Sequence, residues 1–118
     1  MLYSLIVLLG TAELRSLFIL LLGVLAGTAA LAEITPQRQA ELLHLLRHDC
    51  GSCHGMRLQG GLGPALTPQR LAPWETGSLA LTILHGRPGT PMPPWRPFFS
   101  DQEAHWLAQR LQQGISQP

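Results

Sequence analysis

Apolar and polar positions divide this chain into one long apolar run and a series of helical patterns separated by glycine- and proline-rich breaks. The apolar run, Ser16 to Gly27, follows Arg15 and is the length of a signal-peptide core, short for a membrane span. Further on, Leu42, Leu43, Leu45 and Leu46 recur at the spacing of one helix face, and Thr35-Pro36 ahead of them is a cap followed by proline at the first helical position. This spacing predicts a helix from about Pro36 that continues into residues 50–54. Thr67-Pro68 repeats the start signal and predicts one or two turns as far as Ala72. Gly77 to His85 reads as a short helix, closed by Gly86 in the left-handed conformation. Ser100 to Glu103 is a capping box with Phe99 placed as a hydrophobic staple. It opens a last helix that buries Ala104, Leu107, Ala108 and Leu111 and stops at Gly114. No stretch alternates with the period of a strand, so the expected class is all-α.

The breaks have their own meaning. Gly60 to Leu66 (Gly-Gly-Leu-Gly-Pro-Ala-Leu) lacks any period and suits a loop whose backbone presses on a flat surface. Arg87 to Trp95 holds four prolines, which forbid helix and favour an extended, stiff segment.

Between the first helix and the first break stands Cys50-Gly51-Ser52-Cys53-His54, a C-x-x-C-H run. On a helical turn two thiols at this spacing reach the two vinyl groups on one edge of a porphyrin, and the histidine projects from the same turn toward the iron. The run therefore reads as the attachment site of one covalent haem c, with His54 as proximal ligand. A dithiol redox pair normally follows a strand, and the residues before Cys50 are helical. Zinc needs four ligands, and with two cysteines in the chain it would have to recruit His44, His48 or His85. A disulfide across two residues is strained and leaves His54 without a role. His44 and His48 read as surface residues of the first helix. Met56, two residues past His54, cannot reach the opposite face of the iron and is expected to be packing.

The sixth iron position has two protein candidates. Met92 sits among prolines, where an unbranched side chain can be held in one direction with little entropy left to lose; His85, at the end of a helix, is its rival. Arg57, Arg70 and Arg87, with the indoles of Trp74 and Trp95, are candidates for pairing with the haem propionates, since a planar guanidinium matches a carboxylate.

Haem c is attached outside the cytoplasmic membrane, which gives the N-terminal run its meaning. Residues 1–32 are expected to be a signal peptide cut after Ala30-Leu31-Ala32, and residues 33–118 the working domain. The segment before Arg15 is unusually apolar, so a retained anchor is the other reading. A domain this short has a marginal core of its own, and a large apolar cofactor would complete it. Lysine is absent, and eight arginines stand against seven acids for a formal +1. Two propionates would bring that close to neutral, and no basic patch points to nucleic acid or a membrane surface.

The order of helix, C-x-x-C-H, Gly63-Pro64-Ala65-Leu66, short helix, Met92-Pro93 and a closing helix with Trp106-Leu107 resembles the class I cytochrome c fold over the whole of residues 33–118. That resemblance implies that the Pro64 carbonyl accepts the ring proton of His54. More narrowly, Arg47 to Met56 and Gly89 to Trp95 are similar to the small NirC-type cytochromes of denitrifying bacteria. The resemblance implies a periplasmic one-electron carrier, not an enzyme, serving the haem-d1 nitrite reductase or the maturation of haem d1. A competing expectation is a haem-based sensor or weak peroxidase whose sixth position opens to small molecules. A monomer is expected, with a domain-swapped dimer as a minor form.

Overall fold

The computed structural model describes residues 33–115, so the segment read as a signal peptide or anchor lies outside the described residues. Within them the helices are α1 (Pro36–Leu45), α2 (Gly51–His54), α3 (Pro68–Leu71), α4 (Thr76–His85) and α5 (Asp101–Gln113). A π-helical turn, Leu46–Cys50, joins α1 to α2. No strand occurs among the described residues, which form the all-α arrangement the sequence predicts.

The start signals act as expected. Thr35 Oγ1 accepts the Arg38 N–H at 3.2 Å, with Pro36 in the first turn, and Thr67 does the same for Arg70 at 3.4 Å ahead of α3. Ser100 and Glu103 form the complete capping box at the head of α5. Two details differ from expectation. The run from Pro36 into the cysteine motif is helical throughout, yet it widens at Leu46, where the Gly51 N–H bonds the Leu46 carbonyl. No residue type in the sequence announces this turn. Gly86 has the expected positive φ, +67°, but ψ is −165°, so it throws the chain outward in place of folding into a left-handed cap. The reason is crowding: a Cβ at Gly86 would stand 2.6 Å from the Met92 carbonyl oxygen and from the Pro93 carbonyl carbon.

α5 is the spine. α4 packs along it, and α3 and α1 also rest against it. Ala104, Leu107, Ala108 and Leu111, the face expected to be buried, are all buried. They join Leu42 and Leu46 from the first helical run, Leu58, Leu71, Ala80, Leu84 and Phe99 in one cluster. Each fully buried leucine contributes about 1.5–3 kcal/mol over leaving it in water. This is a short list for a whole domain, and exposed apolar side chains remain beside it: Leu62, Met56, Trp74, Leu81 and Phe98.

Two polar clamps hold the spine in place. Arg38 of α1 reaches Glu103 of α5 at 2.6 Å, the Phe98 carbonyl at 3.3 Å and Glu41 at 3.0 Å, tying the first helix to the head of the last. Near the other end of α5, Gln112 donates to the carbonyls of Trp74 (2.8 Å) and Leu71 (3.3 Å) and accepts from Thr76 Oγ1 (2.7 Å). One side chain thus closes α3 and opens α4.

The Arg38 guanidinium, through its hydrogen bond, holds the Glu103 carboxyl below the usual carboxylate range. A depressed native pKa means that the ionised pair stabilises the fold fully above the unfolded value of about 4.3 and loses that contribution as pH falls through the lower native value. Glu103→Gln keeps the cap acceptor and removes the charge. It should lower the unfolding free energy of the holoprotein by about 1–2 kcal/mol at pH 7, with wild type and variant converging as pH falls below the usual carboxylate range. Guanidinium titrations at a series of pH values check both the size and the convergence.

Candidate haem site

The proximal platform is built from contacts close in sequence. α2 carries Cys53 and His54 one turn after Cys50, and the chain then folds back over its own motif. The Gly60 N–H donates to the His54 carbonyl and the Gly63 N–H to the Cys53 carbonyl, both at 2.8 Å, while Leu66 N–H donates to the Leu58 carbonyl at 2.8 Å. The glycine-rich loop, expected to press on a flat ring, thus spends its backbone on the motif and on the imidazole. Gly63 is the close approach. A Cβ there would lie 2.8 Å from both Cε1 and Nδ1 of His54.

His54 Nδ1 lies 2.7 Å from the carbonyl oxygen of Pro64. A carbonyl only accepts, so Nδ1 carries the proton and donates it. In the neutral ring Nε2 is then left with its lone pair free, the form in which imidazole binds a metal.

Cys50 and Cys53 are both free thiols. Cys53 is exposed, whereas Cys50 is half-buried, and burial, helped by neighbouring Asp49, pushes its thiol up to about 11.

The second platform lies beyond α4. Trp95 N–H and Arg96 N–H donate to the carbonyls of Ile83 and Leu84 at 3.2 and 3.1 Å, pinning the far end of the proline loop to the helix. Met92 is gripped on both sides: its carbonyl accepts from Arg87 N–H at 3.2 Å, and its N–H donates to Thr90 Oγ1 at 3.3 Å, whose own proton goes to the Arg87 carbonyl at 2.7 Å. Thr90 went unnoticed in the sequence, although a hydroxyl between glycine and proline is a common turn former. Met92 itself is half-buried, and His85 is exposed at the end of α4.

Other expected residues fall as follows. His44 and His48 are exposed, as are Arg57, Arg70 and Arg87. Trp74 is exposed, while Trp95 is half-buried and stacks on Phe99 with centroids 5.7 Å apart and planes 16° from parallel. Met56 corrects an expectation: it is 56% exposed and is not part of the buried core, because the folded-back loop covers Leu58 instead.

These residues fit a covalently held haem. Gly63 leaves the imidazole room where any side chain would collide, the ring keeps Nε2 free, and the two thiols are unspent. Leu66, Leu79, Ile83 and Trp95 pack on the core yet stay only partly buried, an apolar surface that a large flat group would complete.

Comparison with known proteins agrees. The family described as cytochrome c oxidase, cbb3-type, subunit III matches residues 37–109. Among relatives, the cytochrome c55X of Pseudomonas aeruginosa is 57% identical over 82 residues, 70% of this chain and 69% of that protein. Among solved structures, the c-type cytochrome NirC superposes with a TM-score of 0.66 at 57% identity, covering 67% of this chain and 93% of the other. Dihydro-haem d1 dehydrogenase NirN, in complex with DHE, gives 0.57 at 35% identity over 64% of this chain, but only 16% of that much longer chain. The chain belongs to this family of c-type cytochromes, electron-transfer proteins carrying one covalent haem c. Within it, the relatives it matches are of the NirC type.

The crowding at Gly63 gives a test. Its φ is not in the left-handed region, so alanine strains only the contact with His54. Gly63→Ala should destabilise the holoprotein by about 1–3 kcal/mol, as overpacking does. Gly77→Ala, where an added Cβ meets nothing within 4 Å, should be neutral or stabilise by up to about 1 kcal/mol. Denaturant midpoints of the two variants, compared with wild type, decide it.

Proposed function

We propose that this chain is a periplasmic one-electron carrier of the nitrite-reduction system, exported by residues 1–32 and working as residues 33–118. Cys50 and Cys53 would hold the haem through two thioethers, and His54 Nε2 and Met92 would bind its iron. When bound, the haem supplies a one-electron Fe(II)/Fe(III) couple. The protein's own contribution is to hold still. Pro64 fixes the His54 tautomer and ring plane, Gly63 keeps the ring from being displaced, and Thr90 and Arg87 fix the backbone of Met92. Ligands that do not move keep the reorganisation on electron transfer small. Thioether ligation also raises the potential over that of a second histidine.

The observation that carries the denitrification reading is the kinship with a cytochrome portion of a dihydro-haem d1 dehydrogenase. That likeness to part of an enzyme of haem d1 supports a role for this chain in the same chemistry. The chain delivers electrons to the haem-d1 nitrite reductase or accepts them during the oxidative finishing of haem d1. Near-neutral holo charge gives little electrostatic steering, so docking rests on exposed apolar groups such as Met56, Leu62 (94% exposed), Pro93 and Pro94. Redox encounters of this kind bury less than about 1,200 Å². The working form is a monomer.

The distal assignment makes its own prediction. Met92→Ala should abolish the sulfur-to-iron charge-transfer band of the ferric protein and lower its reduction potential, because the softer ligand that favours Fe(II) is gone. The ferrous wild type should keep its spectrum under carbon monoxide. Loss of the band in His85→Ala instead would hand the position to histidine, and a carbon monoxide shift in the wild type would favour a sensor.

The partner is tested by stopped-flow mixing of the reduced protein with oxidised haem-d1 nitrite reductase across a salt series. A transfer rate that falls only mildly with ionic strength is expected. Absence of transfer at every salt concentration rules out the donor role, and a steep fall rules out apolar docking.

A further inference from the structure

The exposed face of the first helical run carries a feature that haem attachment does not use. His44, in the last turn of α1, and His48, in the π turn, hold their rings 4.3 Å apart between centroids with planes tilted by 39°. Both are exposed. Residues four apart share one face of an α-helix, though four residues turn about 400° and leave the pair slightly offset around the axis. The π turn takes more residues per revolution and removes part of that overshoot, so the widened backbone at Leu46 brings His48 more nearly in line with His44.

The spacing suits a chelate. With metal–nitrogen bonds of about 2.0–2.1 Å and each nitrogen about 1.1 Å from its ring centre, two imidazoles at right angles on one ion place their centroids about 4.5 Å apart; a tetrahedral angle needs about 5.1 Å. The observed 4.3 Å lies nearer the right angle. Among the described residues no group of three or more His, Cys, Asp and Glu side chains could hold a metal ion, so any ion here takes two protein ligands and fills its other positions with water. Right-angled imidazole ligation with water is the preference of tetragonal Cu(II), which also heads the affinity order of the first-row divalent ions, with Ni(II) behind it.

We propose that His44 and His48 form a two-histidine surface site for a tetragonal divalent cation, Cu(II) first. The site is open to solvent and exchangeable, and it does not depend on the assignment of the haem ligands.

The test is titration of the ferric, full-chain holoprotein with copper sulfate in a non-coordinating buffer, read by electron paramagnetic resonance. One equivalent should bind with an axial signal split by two nitrogens. His44→Ala and His48→Ala should each weaken binding at least tenfold and remove the two-nitrogen pattern, whereas His105→Ala, at an exposed histidine of α5, should change neither. The optical spectrum of the haem verifies that each variant is folded. Copper binding that survives either of the first two substitutions, an equal loss in His105→Ala, or no binding below millimolar copper overturns the site.

Discussion

The hydrogen bond from His54 Nδ1 to the Pro64 carbonyl, 2.7 Å long, is the contact around which the proximal half is arranged. Proline suits the acceptor position because its fixed φ limits how the carbonyl can swing, and it offers no N–H to compete. For the bond to form, the chain must reverse within ten residues and lay a backbone against the face of an imidazole. Gly63 permits that approach, and Leu58, at φ +57°, accepts a conformation that few leucines adopt. The hydrogen bonds from Gly60 and Gly63 back to the motif hold the reversal closed. Strain at Leu58 is offset by burial of its side chain in the core.

That arrangement explains why so few helical residues suffice. The buried cluster is small, and its leucines come from short elements that would not be stable alone. Arg38 and Gln112 therefore act where helices meet loops, adding hydrogen bonds to backbone carbonyls at the ends of the elements. Both side chains cross between elements distant in sequence and so tie those elements together.

Much of this was legible in the residues, and what was missed has a physical reason. Caps, prolines and leucine spacing announced every helix to within a residue or two, because each signal is local: a hydroxyl over a free N–H, a ring that fixes φ, a stripe that faces one way. Cys50, Cys53 and His54 were legible because the chemistry demands that spacing on one turn. The π turn was not, since it depends on how Leu46 and Gly51 settle against the rest of the fold and no residue type encodes it. The roles of Thr90 and Gly86 were hidden for a similar reason: a hydroxyl in a turn and a glycine after a helix have many uses, and only the path of Met92 across them selects one. Met56 was misjudged because distance along the chain says which groups cannot reach the iron but not which side of a loop faces water.

The two platforms differ in kind. Every hydrogen bond of the proximal one joins residues no more than ten positions apart, from His54 to Pro64 at the widest. The Met92 loop instead hangs on the carbonyls at the end of α4, whose own position depends on packing against α5. Loop-closure entropy favours the first arrangement, which can form before the rest of the chain is in place. The thiols and the imidazole are presented together by contacts close in sequence, whereas the methionine loop depends on the packing of α4 against α5. Loosening the contact between α4 and α5 therefore reaches the Met92 loop first and leaves the His54 turn intact.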